Sequence, residues 1–516
     1  MERTREVLRL AVAGLVVAAA LVAGGGGVLP SAQAASGSTP TATTGTSGTG
    51  APIDDDLQAK AEEGSVDVIA VTSAPGEQVA DAVMAAVPDE SVSAVDAGAT
   101  SQLAVTVDAE GLDALRRAPY VERIVENGKN YVSADAWAEN IGVPATHSAG
   151  WDGSGQTIAI LDSGVQKDHP YLAGKVTAEA CFSSGGAPGT ATLCPGGGNT
   201  QFGSGSATPC LMAIIECEHG THVAGIAAGG PVTTAGRTLQ GVAPAASIVA
   251  VQIFTKGTTV DACSGPAPCV FAYDSDLNDA LFWLRAQVQN NVAGFQNLAA
   301  VNLSLGGGLS PGACDDDPSK PYVDALAAIG VVTVAATGNL GFNSAAFPGI
   351  SAPACISTVV SVGATTLAST LAGYSNLTRD TTILAPGGPI FSSKPGSAYG
   401  TLTGTSMAAP VVSGAIALLK QQGYTTKSTI MSRLITTADK VSTAFGLRPE
   451  VELDSALLGV PNSPRDPAAL PGEGYVDVAW NPPTFLGDGP LAGYAVATSP
   501  ASSGCFTSGA TMCRVT

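Results

Sequence analysis

Three short segments, far apart in the chain, carry the residue types of nucleophilic catalysis: a carboxylate, an imidazole and a hydroxyl. The first is Asp162-Ser163-Gly164-Val165, directly after the apolar run 157–161. Alone, an acid at a strand end reads most simply as a cap for a helix or turn. The second is His219-Gly220-Thr221-His222-Val223-Ala224-Gly225, which opens a helix. Two histidines three apart suggest a metal, but they lack the i, i+4 spacing and the glutamate of a helical zinc site. His222 reads instead as a structural histidine facing a small-residue helix. The third is Gly404-Thr405-Ser406-Met407-Ala408-Ala409-Pro410, at the start of a long apolar helix. Serine at a helix N-terminus commonly serves only as a cap. Here Gly404 permits a tight turn, and the small residues after Ser406 let another chain approach closely. A Gly-x-Ser-x-Gly nucleophile elbow is not met, since Ala408 stands in its last place.

Together, Asp162, His219 and Ser406 resemble the subtilisin-like serine peptidases, whose triad runs in the order Asp, His, Ser. Ala335-Ala336-Thr337-Gly338-Asn339 is similar to that family's oxyanion segment, which makes Asn339 the expected side-chain donor. Asn302-Leu303-Ser304-Leu305-Gly306-Gly307 is similar to the segment that pairs with bound substrate. With Ala336 and Gly338 it supplies the expected substrate-binding residues Ser304, Leu305, Gly306, Ala336 and Gly338. The resemblance covers roughly residues 135–456. It implies amide hydrolysis, with His219 taking the Ser406 proton, Asp162 orienting the imidazole, and the Asn339 amide and Ser406 N–H stabilising the oxyanion.

The expected pocket residues include no acid or base, so a bulky apolar side chain on the acyl side of the scissile bond is the expected guest. Dibasic specificity is disfavoured by the same lining. The chemistry requires no cofactor. Structural calcium is common in the family, but Asp315-Asp316-Asp317 reads as a solvated turn and no ligands are assigned. The resemblance departs at Glu218, where the family usually has glycine before the histidine. A carboxylate there favours the protonated imidazole, unless it is simply an exposed loop acid. Asn302-Leu303-Ser304 also fits a glycosylation pattern, discounted because it lies in the presumed substrate strand.

Elements that could position these residues are legible around them. Continuous apolar runs of strand length lie at 157–161, 247–253, 299–305, 331–335 and 358–362, and helical patterns at 276–288, 322–328 and 407–420. Strands buried on both faces and spaced by helices predict an α/β fold, a mostly parallel sheet with helices on both faces. The site should then lie at the carboxyl ends of the strands. Upstream, strands at 66–71, 91–95, 103–107 and 121–125 and helices at 78–86 and 110–117 follow the order βαββαβ of a small α+β, ferredoxin-like domain. By the family resemblance, residues 53–130 are an inhibitory propeptide and intramolecular chaperone. Downstream, Gly474–Trp480 and Leu491–Val496 read as strands that resemble the first half of a fibronectin type III module. Only a partial all-β sandwich fits in what remains, since a complete one takes roughly 100 residues.

The 516 residues leave room for about three domains at ~150 residues each. Apolar residues make up 45%, which excludes a disordered chain. A net charge of −20 argues against nucleic-acid binding. Arg3, Arg5 and Arg9 precede an apolar run from Leu10 to Ala23, and Ala32-Gln33-Ala34 offers a signal-peptidase site. That run is shorter than the roughly 20 residues a membrane span needs, so the chain is expected to be secreted, without a membrane span. The expected organisation is signal peptide 1–34, Ser/Thr/Gly-rich linker 35–52, propeptide 53–130, peptidase 131–458, and linker with partial module 459–516. Self-cleavage is expected between Val125 and Val132. The ten cysteines of an exported chain should be bridged; closeness suggests 263 with 269, 210 with 217 and 505 with 513. Two rival readings are a dedicated processing protease with a single substrate and a catalytically silent adhesion protein.

Overall fold

The computed structural model describes residues 53, 57–73, 76–88, 92–97, 102–126 and, with short gaps, 136–515; of the first 52 residues only Val17 and Ala18 are included. Apart from that pair, the predicted signal peptide, the linker 35–52 and the self-cleavage stretch after Glu126 lie outside the described residues. Contacts divide the chain into two compact units, 26–132 and the remainder.

In the smaller unit, helix α1 (Leu57–Glu63) precedes β1 (Val66–Thr72), α2 (Gly76–Met84), β2 (Val92–Ala97), β3 (Gln102–Val107), α3 (Ala109–Leu115) and β4 (Val121–Glu126). The strands form one antiparallel sheet in the order β2-β3-β1-β4. Alternation along β3 sends Leu103, Val105 and Val107 into a core shared with Leu112 and Leu115 of α3.

The larger unit is built on a ten-stranded sheet. Its elements are β5 (Thr157–Asp162), β6 (Val176–Phe182), β7 (Thr200–Phe202), α4 (His219–Ala228), β8 (Ser247–Gln252), α5 (Asp274–Gln289), β9 (Leu298–Leu303), α6 (Lys320–Ala327), β10 (Val332–Ala336), β11 (Val360–Thr366), β12 (Ile383–Gly388), α7 (Thr405–Gln421), α8 (Lys427–Thr437), β13 (Asp439–Thr443) and β14 (Gly446–Glu450). The spatial order is β13-β14-β12-β11-β10-β9-β5-β8-β6-β7. Every pairing from β14 to β6 is parallel, and an antiparallel strand closes each edge.

The central strands are apolar on both faces because both are covered. Along β5, Ile158 and Ile160 enter one core with α4 and α7, whereas Ala159 and Leu161 enter the other with α5 and α6. Helix α7 is buried from Met407 to Leu419, which explains why it is apolar all round rather than on one stripe. Beyond Gly459 the described residues form five strands, Arg465–Gly472, Tyr475–Asn481, Tyr494–Ala497, Gly504–Thr507 and Met512–Val515, with antiparallel pairings. Trp480 and Tyr494 pack there with ring centroids 5.2 Å apart.

All ten cysteines are paired. The bridges 210–217, 263–269 and 505–513 join the neighbours expected from sequence. Cys181–Cys194 and Cys314–Cys355 complete the set, the latter across 41 residues, where proximity in sequence gave no hint. Among the described residues no helix is long and apolar enough to cross a membrane.

Candidate active site

Asp162 is the last residue of β5 and has no exposed surface. His219 is the first residue of α4, and its Nδ1 lies 2.8 and 3.0 Å from the two Asp162 carboxylate oxygens. An ionised carboxylate only accepts, so Nδ1 carries the hydrogen and Nε2 is left as the basic nitrogen. The close approach of helix to strand depends on Gly220, where a Cβ would overlap the Gly164 carbonyl oxygen and sit 3.0 Å from the Asp162 Cβ. Burial disfavours the imidazolium, but the charge and hydrogen bond of Asp162, with Glu216 and Glu218 beyond, hold the His219 pKa above its ordinary value. His222 is buried, its Nε2 donates to the Gly400 carbonyl at 3.0 Å, and burial pushes its pKa down to about 3. It is a neutral structural histidine.

Ser406 is the second residue of α7, and Pro410 lies four residues on. Proline has no N–H to give the Ser406 carbonyl, so that oxygen is open to another donor. It accepts from the Ser304 hydroxyl at 2.7 Å, while the Ser406 hydroxyl donates to the Ser304 carbonyl at 3.1 Å. The Ser304 hydroxyl in turn accepts from the Asn302 amide at 2.9 Å, and Asn302 Oδ1 accepts from Ser413 of α7 at 2.9 Å. Asn302 is fully buried, which leaves no place for a glycan. These contacts pin the start of α7 to the end of β9. For Ser406 to give its proton to His219, the hydroxyl must turn away from the Ser304 carbonyl.

Asn339 follows β10 and the turn at Gly338. Its Oδ1 accepts from the backbone N–H of Thr405 at 2.8 Å and from the Thr405 hydroxyl at 3.0 Å. A backbone N–H can only donate, so the amide orientation is fixed and Nδ2 is the group left for a ligand. The Thr405 hydroxyl itself accepts from Gly338 N–H at 3.1 Å.

His219, Ser406 and Asn339 line one cleft of about 1020 Å³, with Ser304, Leu305, Gly306, Ala336 and Gly338 in its walls. All five expected substrate-binding residues therefore face the same space. Ser351 lies between the walls, because a Cβ on either Gly306 or Gly338 would be 2.7 Å from its side chain. The rim departs from the sequence reading. Glu216, Glu218, Asp274 and Asp317 line the cleft, and among the described residues no lysine or arginine does. None of these acids stands in the pocket segments themselves, although Glu216 and Glu218 flank Cys217 just before His219 and Asp274 opens α5. Glu218 is not simply a solvated loop acid either, since its carboxylate pairs with Lys394 at 3.1 Å. Lys394, Thr405 and Ser351 are site residues that sequence reasoning missed; only Thr405, beside Ser406, stood in a recognised motif.

The Asp315-Asp316-Asp317 turn does not fit a calcium site. Asp315 caps Ser357 through both oxygens, at 2.8 and 2.9 Å, and Asp317 caps Ser319 N–H at 2.8 Å. Among the described residues no group of three or more His, Cys, Asp or Glu is placed to hold a metal.

A helix-borne hydroxyl and a carboxylate-held imidazole, facing one groove across the carboxyl ends of a mostly parallel sheet, define the class as a serine peptidase. Residues 153–449 match the model of the Subtilase family. The chain is 33% identical over 323 residues to the alkaline protease of Shouchella clausii, covering 62% of this chain and 69% of that one. It is 29% identical over 346 residues to subtilisin NAT of Bacillus subtilis subsp. natto, covering 66% and 76%. With subtilisin of Bacillus pumilus it shares 30% over 306 residues, covering 59% and 91%. The chain belongs to the subtilase family and is a serine endopeptidase.

Proposed function

We propose that this chain is a secreted, self-processing endopeptidase in which Ser406, His219 and Asp162 form the catalytic triad and Asn339 is an oxyanion donor. The observation that carries the reading is the fixed polarity of the cleft: Asp162 holds the hydrogen on His219 Nδ1, and Thr405 turns the Asn339 amide hydrogens away from itself. Ser406 Oγ bonds to the substrate carbonyl carbon as its proton passes to His219 Nε2. Charge on the carbonyl oxygen is met by Asn339 Nδ2 and the Ser406 N–H. As the C–N bond breaks, the same proton moves to the departing amine. Water then repeats the sequence on the acyl-enzyme, releasing the acid and restoring Ser406. Every proton transfer is met by side chains, and no cofactor is required.

Residues 1–34 act as a signal peptide, 35–52 as a linker and 53–130 as a propeptide that inhibits the peptidase until it is cut between Val125 and Val132. The peptidase spans 131–458, and 459–516 form a linker and fibronectin-like strands. Substrates are proteins and peptides with a bulky apolar residue on the acyl side of the cut, taken between Leu305-Gly306 and Ala336-Gly338. The acidic rim favours lysine or arginine elsewhere in the same segment.

Intact mass of the full chain and of Ser406→Ala tests the reading. The parent loses its first 125 to 132 residues and Ser406→Ala keeps them beyond signal removal. If both were processed alike, or if neither cut casein, the self-processing endopeptidase would be the wrong reading.

A further inference from the structure

We infer that Asn376 is the positioning residue of the oxyanion loop, setting where the Asn339 amide stands rather than touching substrate. The inference rests on the reading of Asn339 as oxyanion donor. Asn376 follows β11 by ten residues and is fully buried. It engages the loop on both sides of Asn339. Its backbone N–H donates to the Gly338 carbonyl at 2.9 Å, and its Oδ1 accepts from Leu340 N–H at 2.9 Å. The same oxygen accepts from Phe342 N–H at 3.1 Å, and the Asn376 carbonyl accepts from the Thr337 hydroxyl at 2.9 Å. Residues 337, 338, 340 and 342 are thus all tied to one side chain and its own peptide.

The polarity of these bonds assigns the work to an acceptor. Leu340 and Phe342 present backbone donors, so Oδ1 must face them. The Asn376 Nδ2 has no partner, and a Cβ on Gly338 would come within 2.6 Å of it. Gly338 adopts φ +104°, a left-handed conformation that costs glycine least. The loop can therefore lie this close to Asn376 only because position 338 has no side chain. Asn339 is held from two directions: Thr405 grips its side chain, and Asn376 grips the peptide that follows it. Oxyanion stabilisation depends on donors already in place, and a displacement of about 1 Å is enough to cost ~100-fold in rate.

The test is steady-state hydrolysis of a chromogenic tetrapeptide anilide by the processed full chain, with thermal melting of each variant. Asn376→Ala removes both side-chain acceptor bonds and lowers kcat by about 10- to 100-fold with KM within about threefold of the parent, because Asn339 acts on the transition state. Asn376→Asp keeps the acceptor and exchanges a donor without a partner for a second oxygen, on which burial disfavours charge, so kcat stays within about fivefold of the parent. Asn339→Ala lowers kcat by about 100- to 1000-fold, and adding Asn376→Ala to it produces little further loss, since the group being positioned is gone.

If Asn376→Ala left kcat unchanged, changed KM alone, or multiplied the loss of Asn339→Ala, Asn376 would not act through Asn339. Should Asn376→Ala melt below the assay temperature, Asn376→Asp decides: a loss of kcat of about tenfold or more in that folded variant would overturn the acceptor role. An Asn339→Ala enzyme as fast as the parent would overturn the oxyanion reading itself, and this inference with it.

Discussion

At His219 burial and Asp162 dominate the protonation balance, and Glu216 and the Glu218–Lys394 pair adjust it from outside the proposed triad. The imidazole must be neutral to accept the Ser406 proton, so the acid limb of kcat/KM follows its pKa in the free enzyme. Glu218 contributes to raising that pKa, and Lys394, 3.1 Å from Glu218, offsets the carboxylate. Glu218→Gln should move the acid limb to lower pH, and Lys394→Met should move it upward, both reduced by salt because the pair is partly exposed. A pH profile of the two variants and the parent checks the signs; shifts in one common direction would show that the pair does not act through His219. The proposed triad residues were legible because each stands in a motif with its own local geometry. Lys394 and Asn376 were not, because each works through a contact whose partner is more than thirty residues away, and nothing in the adjacent residues marks it.

Among the elements, the sheet-edge hairpin β13–β14 holds a buried acid that has no ion pair among the described residues. Glu450 is 2% exposed, accepts from the Thr365 hydroxyl, and pairs in register with Asp439. Burial, with Asp439 adding to it, pushes the Glu450 pKa up to about 7. Glu452 nearby is raised well above its ordinary value, chiefly by burial and then by Asp454. A pKa raised on folding means that the native state binds the proton more tightly. The stability Glu450 contributes is complete below the unfolded pKa and is lost as pH rises through about 7. At about 1.4 kcal/mol per unit, ionisation at pH 8 costs on the order of 3 kcal/mol. Glu450→Gln should therefore raise Tm by a few degrees at pH 8 relative to its effect at pH 5. Melting curves at the two pH values measure this, and an equal effect at both would refute it. The strands at 157, 247, 298 and 332 were legible because they are apolar on both faces. The hairpin and β12 escaped notice: β12 is Ile383-Leu384-Ala385-Pro386-Gly387-Gly388, half of it residues that sequence rules assign to turns, yet every one is buried. Helix α8, Lys427–Thr437, was missed for a related reason, since six of its eleven residues are serine, threonine or lysine with no long apolar run.

For the molecule as a whole, charge is the property most exposed to the medium. The chain carries a net −20, and four of its acids, Glu216, Glu218, Asp274 and Asp317, line the cleft, with Lys394 paired to Glu218. Peptides containing lysine or arginine should therefore be gathered faster than uncharged ones of the same apolar anchor, an advantage that shrinks as salt shortens the Debye length from about 10 Å at 0.1 M to about 3 Å at 1 M. Measuring kcat/KM for a matched lysine and glutamine pair across that range is the check, and a salt-independent ratio would rule the rim out as a selector. The burial of α7 bears on how the molecule fails. Its residues from Met407 to Leu419 are buried against the sheet and α4, directly after Ser406, the proposed nucleophile. Amide hydrogens of that helix should exchange with deuterium only when the whole domain opens, while those of exposed loops exchange by local opening. If Ser406 is the nucleophile and α7 the last element to come apart, the protease has no half-working state on the way to unfolding, so loss of activity on heating and loss of the fold should trace one curve.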